Sequence, residues 1–323
     1  MPSLPAFMSA AVDRAAHLRH KPTLPLLGSD MVFVVDQTGV LVDAVGADPK
    51  LALRPANTLP EDLLTQLAFH GLDEAGARLF SLDVTGLNQA AAEAAAGSPL
   101  LASWQGAAAL DLRSAAATLS ERDAGLAAHA RALSWFHRTH RFCGRCGAPT
   151  EPVEAGNARR CTGQDPVTGE PCGHTVYPRN DAAVIVLVHK GDMCLLGRSH
   201  RLPAGVYSTL AGFVEAAETL EDCVHRELME EVGVRVARPV YQASQPWPFP
   251  QSLMVGFTAE ALDPAEDSAL TIDPEEIDAA HWYHRRDILA ALAGDPEAPV
   301  KVPTTISIAH WLIREWAAGH IGG

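Results

Sequence analysis

The chain has 323 residues, 47% of them apolar and 20% charged, and carries a formal net charge of −14. That length predicts two or three folded units, and the composition is that of a globular protein with no run approaching the roughly 18 apolar residues a membrane span needs. So acidic a chain repels nucleic acid at long range unless it segregates a basic patch, and an anionic substrate would require bound metal or clustered Arg and Lys.

The N-terminus lacks a basic stretch followed by an apolar one, so no secretory signal is expected and the cytoplasm is the expected location. Residues 1–125 read as an α+β domain. Met31–Val35 is strand-like and ends at the turn signal Gln37-Thr38-Gly39, and Leu79–Leu82 is a second strand. Between Gly86 and Leu119 the chain is Ala-rich, which favours helix, interrupted at Gly97-Ser98-Pro99. No catalytic motif lies here, and a structural or dimerising role is expected. From Ala124 a helical pattern runs through Leu126, Ala130, Leu133 and Phe136 towards His140. Residues 126–179 are therefore a linking helix and a metal ribbon, and residues 180–323 a third domain. There Ala182–His189 reads as a buried strand, Gly191-Asp192 as a turn, and Met193–Leu196 as the second strand of a hairpin. Strands and helices alternate after it.

Four of the six cysteines lie between Cys143 and Cys172. In an intracellular chain such a cluster reads as metal before disulfide. Cys143-Gly-Arg-Cys146 is a knuckle that aims two thiolates at one point. Its partner pair, Cys161 and Cys172, is separated by ten residues, Thr162 to Pro171, which carry Gly163, Gly169 and two prolines and can loop out. His174 is a substitute ligand, and His137 and His140 are weaker ones. Free buried thiols are the alternative. A four-cysteine zinc site leaves no position for substrate, so its role would be structural, supplying folding energy to a ribbon too small for its own core.

Gly212–Val234, GFVEAAETLEDCVHRELMEEVGV, is the most informative stretch. Thr219–Glu231 has helix-forming composition, and Gly233 supplies a left-handed stop. On that helix Glu227, Glu230 and Glu231 fall at i, i+3 and i+4, so three carboxylates share one face. Like charges this close destabilise a bare helix, and a hard divalent cation reverses the sign. Leu220, Val224, Leu228 and Val232 form a ridge that can pack on a sheet. Arg226 can pair with Glu218 or a neighbouring carboxylate, and Gly212 permits close backbone approach. A solvated acidic helix is the bland alternative.

The stretch resembles the Nudix box at every defined position: Gly, five residues, Glu, seven residues, Arg-Glu-aliphatic, one residue, Glu-Glu, one residue, Gly-aliphatic. Ten residues on, Ser244-Gln-Pro-Trp-Pro-Phe-Pro-Gln-Ser252 alternates rigid prolines with Trp247 and Phe249, whose faces could stack on flat rings. Standing alone it would read as a packed aromatic turn. It is similar to the signature of the NADH pyrophosphatase (NudC-type) branch, which also places a zinc ribbon before the Nudix domain. The resemblance covers about Phe142 to Trp316.

It implies a Nudix α/β/α sandwich behind the zinc ribbon and the N-terminal α+β domain. It implies Mg²⁺- or Mn²⁺-dependent hydrolysis of the diphosphate bond of NADH and NAD⁺, releasing AMP and reduced nicotinamide mononucleotide (or NMN). Removal of NAD caps from RNA 5′ ends needs the same cleavage. By position Glu227, Glu230, Glu231 and Glu276 would be metal ligands, with Glu275 the register alternative to Glu276, Ala211 offering a backbone carbonyl, and Glu231 the candidate base. Tyr177 and Phe213 would sandwich adenine. Gln245, Pro246, Trp247, Pro248, Phe249, Pro250, Gln251 and Ser252 would line the nucleotide pocket, partly from the partner subunit of a homodimer, and Ala309 would contact substrate. The chain departs from the family at the stretched second knuckle and at Gly156, where an acidic contact can occur. Alternatives are a Nudix enzyme for ADP-ribose, nucleotide sugars or dinucleoside polyphosphates, and an inactive zinc-ribbon binding or regulatory protein. The intact carboxylates oppose the last, and the Trp247–Phe249 loop discriminates among the others.

Overall fold

The computed structural model describes residues 5–7, 12–20, 24–43, 48–85, 104 and 106–322. The chain divides into two compact units, one of Met1–Met8, Asn180–Trp247 and Ser252–Gly323, the other of Ser9–Arg179 and Pro248–Gln251.

The second of these holds a seven-stranded sheet of β1 (Met31–Val35), β2 (Gly39–Asp43), β3 (Lys50–Leu51), β4 (Arg54–Pro55), β5 (Ala68–Leu72), β6 (Arg78–Asp83) and β7 (Ala107–Asp111). Its order is β3-β2-β1-β6-β5, with β4 beside β1 and β7 beside β2. The β1–β2 turn closes on Asp36, whose carboxylate accepts the Thr38 and Gly39 amides at 2.7 and 2.8 Å. Most of the Ala-rich stretch after Gly86, including Gly97-Ser98-Pro99, lies outside the described residues. The described remainder departs from the expected helix in part. Ala107–Asp111 pairs antiparallel with β2, where tertiary pairing overrides the helix propensity of alanine, and only Leu112–Thr118 is helical, capped by Asp111.

The helix Glu121–Thr139 begins at the Ser120 cap and buries Leu126, Ala130, Leu133 and Phe136, the positions read from its periodicity. It runs unbroken across position 125, so the expected boundary there falls inside a helix. It leads into the ribbon, a three-stranded sheet of β8 (Thr150–Val153), β9 (Ala158–Cys161) and β10 (Thr175–Val176) in the order β10-β9-β8.

The other unit is built on six strands: β11 (Asp181–Lys190), β12 (Met193–Ser199), β13 (Leu210–Phe213), β14 (Val240–Trp247), β15 (Ser252–Glu260) and β16 (Ile277–His284). The order is β14-β15-β11-β12-β16, with β13 beside β11. β11 and β15 are parallel and the other pairs antiparallel. The apolar run Ala183–Val188 is buried on both faces, as a central strand must be. Val184, Val186 and Val188 pack with Val224, Leu228 and Val232 of the helix Leu220–Val232. Ile185 and Leu187 pack the opposite way, with Ile308, Leu312 and Trp316 of the helix Ile308–Ala317 and Ile288 of Arg285–Leu292. The period-two alternation of one strand thus separates the two helical layers of an α/β/α sandwich.

Candidate active site

The helix Leu220–Val232 is stopped at both ends by its own side chains and backbone. Thr219 Oγ1 accepts the Asp222 amide at 3.1 Å, and Gly233, at φ 71°, donates back to the last turn. Cys223, Val224, Leu228 and Val232 are fully buried against the sheet. On its active side Glu227 and Glu231, one turn apart, stand with Glu276 so that one oxygen from each carboxylate lies within 4.8 Å of the others.

Glu276 arrives on a loop docked to the helix C-terminus. Thr271 donates its amide to Val232 O at 2.9 Å, and Asp273 donates to Glu231 O at 3.1 Å. Asp273 then caps its own turn, accepting the Glu275 amide at 2.9 Å through Oδ1. Glu276 is the residue of this turn that joins the cluster; Glu275 is not part of it.

Glu227 and Glu231 are 7% and 6% exposed. Glu231 Oε2 is buried with no hydrogen-bond partner. Burial, then repulsion from Glu227, Glu276 and Glu230, pushes the Glu231 carboxyl up to about 8. Burial also raises Glu227, against the opposing pull of Arg226. An orphaned buried oxygen among three converging acids, all hard donors, fits a divalent cation, whose charge would reverse this repulsion.

Glu230 is not among the three converging acids. Its side chain is 54% exposed and accepts from Arg226 Nη1 at 2.9 Å. Arg226 pairs with the acids expected of it and braces the site. It grips Glu218 through Nε and Nη2 at 2.7 and 2.9 Å, Glu227 through Nη1 at 2.9 Å, and Phe213 O through Nη2 at 2.9 Å. Its hydrogen bonds hold the Glu218 carboxyl down at about 2. Gly212 lies so close to Glu227 that a β-carbon there would fall 1.8 Å from Glu227 Cδ. Ala211 precedes it on β13, opposite Ile185.

The β14–β15 hairpin carries the proline-aromatic signature. Two of the residues expected beside the nucleotide have buried side chains. Gln245 is fully buried, and its amide is spent on backbone: Nε2 donates to Ile306 O and Ala6 O, both at 2.7 Å, and Oε1 accepts from Ile308 N at 2.8 Å. Its side chain therefore clamps the start of the C-terminal helix. Ala309, the second residue of that helix, is 4% exposed and packs in the core with Ile308 and Leu312. Pro246 and Pro250 are exposed, Pro248 is buried, and Trp247, Phe249, Gln251 and Ser252 are half-buried. The Phe249 ring lies under the Arg113 guanidinium, 4.3 Å from its centroid. Tyr177 and Phe213, each in a different unit, are 55% and 60% exposed.

In the ribbon all four cysteine sulfurs lie within 4.8 Å of one another, Cys146 to Cys161 at 3.3 Å and Cys143 to Cys172 at 4.0 Å. Four thiolates tetrahedrally around zinc stand about 3.8 Å apart, so the set fits that ion. The ten-residue insert folds back on itself. Asp165 N bonds Glu170 O at 2.7 Å and Cys172 N bonds Gly163 O at 2.9 Å, which returns the fourth sulfur to the site. His174, His137 and His140 are outside the group, and His137 is engaged with Gly156 O and Arg159. Gly156, at φ 83°, could carry no acidic side chain, since a β-carbon would meet Ala68 Cα at 2.8 Å. The acid on that turn is Glu154, which accepts from the Tyr177 hydroxyl at 3.0 Å. The Gln245 clamp carries no sequence signal, because it is defined by backbone atoms of distant segments.

An α/β/α sandwich that braces paired glutamates on one helix against a glycine of the sheet is, by fold and site, a Nudix domain. The chain matches three family profiles in succession: the NADH pyrophosphatase-like rudimentary NUDIX domain over residues 29–135, the NADH pyrophosphatase zinc ribbon domain over 138–177, and the NUDIX domain over 178–302. The chain belongs to the Nudix family, in its NADH pyrophosphatase branch. It is 42% identical over 201 residues to the NAD-capped RNA hydrolase NUDT12 of Pongo abelii, a match covering 61% of this chain and 42% of that protein. It is 44% identical over 216 residues to the NAD-capped RNA hydrolase NudC of Mycobacterium bovis, covering 65% and 66% respectively. The chain thus spans less than two thirds of these relatives. A solved NUDIX hydrolase from Nitrosomonas europaea is similar at 20% identity and a TM-score of 0.41, over 55% of this chain and 90% of that one. The N-terminal sheet, in which no catalytic motif is legible, is the part matched by the rudimentary profile.

Proposed function

We propose that the protein hydrolyses the diphosphate bond of NADH and NAD⁺, releasing AMP and the reduced or oxidised nicotinamide mononucleotide. The observation that carries this reading is the convergence of Glu227, Glu231 and Glu276 with one buried oxygen of Glu231 unpartnered. These three would hold Mg²⁺ or Mn²⁺, with the Ala211 carbonyl a further donor and Glu230 reaching the ion only by leaving Arg226. Such an ion, when bound, neutralises the diphosphate and acidifies water. The chain's own residues do the rest. Arg226 and Gly212 fix the Glu227 rotamer, and Glu231 Oε2, without a protein partner, is the group that accepts the proton of the attacking water. Tyr177 and Phe213 each offer an exposed ring for stacking on a base, and Trp247 and Phe249 are the rigid faces of the dinucleotide-selecting loop.

The relatives' activity on NAD-capped RNA favours cap removal as a second use of the same cleavage. The four thiolates are proposed to hold one structural zinc, which metal analysis of the purified protein would count. The family resemblance extends the proposal to a cytoplasmic homodimer. Among the described residues no helix is long and apolar enough to cross a membrane.

Competition among NADH, NAD⁺, ADP-ribose and NAD-capped RNA, with products resolved by chromatography, tests the substrate. AMP and reduced mononucleotide should form with Mg²⁺ or Mn²⁺ and not with a chelator. Glu231→Gln should lower kcat by roughly 10²–10⁴ without lowering Tm. A preference for ADP-ribose with NADH left intact would overturn the substrate assignment, and an active Glu231→Gln enzyme would overturn the base.

A further inference from the structure

The third corner of the carboxylate cluster is held differently from the other two. Glu227 and Glu231 ride on a helix sealed against the sheet, whereas Glu276 is an exposed loop residue. Its position is only as well defined as the loop 271–276. That loop is tied on one side to the helix end, through Val232 O and Glu231 O. On another side it meets His200, which no sequence motif singles out. His200 Nε2 donates to Pro274 O at 3.1 Å, two residues before Glu276. Its Nδ1 pairs with the carboxylate of Asp278, two residues after Glu276. Asp278 is held in turn by Arg198 Nη2 at 3.3 Å. One imidazole therefore bridges both ends of the segment that carries the ligand.

The strand geometry explains how it gets there. β12 and β16 pair regularly from Met193 opposite His284 to Arg198 opposite Ala279. The register then shifts between Arg198 and Ser199, so that Ser199 faces Ile277. A bulge of this kind bends the strand and re-aims the side chains that follow. His200, the next residue, is turned onto the Glu276 loop.

We infer that His200 is a positioning residue for the metal site, a clasp that keeps Glu276 in register with Glu227 and Glu231. This rests on the reading of those carboxylates as metal ligands. His200 touches neither ion nor substrate, and it acts by removing the freedom of the loop, as outer partners of ligating groups do.

Mn²⁺ binding to the full chain, followed by electron paramagnetic resonance titration alongside thermal unfolding, separates the possibilities. His200→Ala should weaken Mn²⁺ about tenfold and raise the metal concentration for half-maximal activity to match. Its kcat at saturating Mn²⁺ and its Tm should stay near wild type. His200→Gln, whose amide can still donate to Pro274 O, should recover most of the affinity. Wild-type Mn²⁺ affinity in His200→Ala, with Glu276→Gln clearly weakened, would overturn the clasp and leave the metal site standing. A Tm that falls with the affinity in His200→Ala, with neither recovered in His200→Gln, would also overturn it, reducing His200 to a structural contact. Wild-type affinity in Glu276→Gln itself would instead remove the metal reading on which the clasp depends.

Discussion

Gly212 shows how one absent side chain can define a site. The space a β-carbon would occupy is taken by the Glu227 carboxyl, with Cδ at 1.8 Å and both oxygens within 2.2 Å. Any larger residue must displace either the strand or the Glu227 carboxylate. In Gly212→Ala the carboxylate is the softer of the two, since β13 is tied to β11 by its ladder. The variant should therefore fold, bind Mn²⁺ weakly, and lose about 10²-fold in kcat/KM, the scale of an ångström-size misplacement. Normal kinetics would show that Glu227 can work from another rotamer. The spacing of glycine, arginine and acids was legible in the sequence because a helix converts spacing into angle. What spacing could not say is which of Glu230 and Glu231 turns inward. Both lie near the same face, and the choice falls to Arg226, which engages Glu230 at the surface while Glu231 is left buried and unpaired. Gln245 shows what spacing leaves out. A polar residue inside a recognised motif reads as a contact to ligand, yet its partners are backbone atoms of residues 6, 306 and 308.

At the scale of elements, the joint between the helix Leu220–Val232 and the loop after it does two tasks. Gly233 ends the helix in a conformation that costs other residues roughly 1–2 kcal/mol. The same glycine faces Thr271, which a β-carbon would meet at 3.0 Å, at the head of the Glu276 loop. Gly233→Ala should lower stability by about that amount in chemical denaturation. It should also weaken metal binding, because the loop is pushed from its dock on Val232 O and Glu231 O. A stability loss with unaltered Mn²⁺ affinity would uncouple the two roles. Helices with a strong period, such as Glu121–Thr139, were readable in advance. The strand at Ala107–Asp111 was not, since alanine carries no preference strong enough to resist an available sheet edge.

Across the whole molecule, the N-terminal sheet domain holds a feature that its lack of motifs hides. His70 is completely buried, with Nδ1 2.8 Å from His129 Nδ1 and Nε2 2.8 Å from Ser81 Oγ. Burial, with Arg14 and Arg19 adding repulsion, pushes it down to about 3, and His129 is also driven well below its usual range. Between the ordinary value of 6.5 and that lowered value the unfolded chain binds the extra proton, so stability falls as pH drops through this window. The unit of residues 9–179 should therefore lose Tm steadily from neutral pH towards pH 4 in calorimetry, and His70→Gln should flatten that slope. A Tm independent of pH over this range would show that the pair is hydrated or already charged.

The sequence by itself determined the family, the cysteine cluster and the acidic helix, because each is written in local spacing: two residues between thiols, three or four between carboxylates, two between inward strand positions. Tertiary structure alone decided that Gln245 clamps a helix start, that Glu231 turns inward while Glu230 faces Arg226, and that His200 meets the Glu276 loop. The first and last of these depend on where a side chain finds another segment's backbone amides and carbonyls, and such groups are common to every residue and leave no mark in the order of side chains.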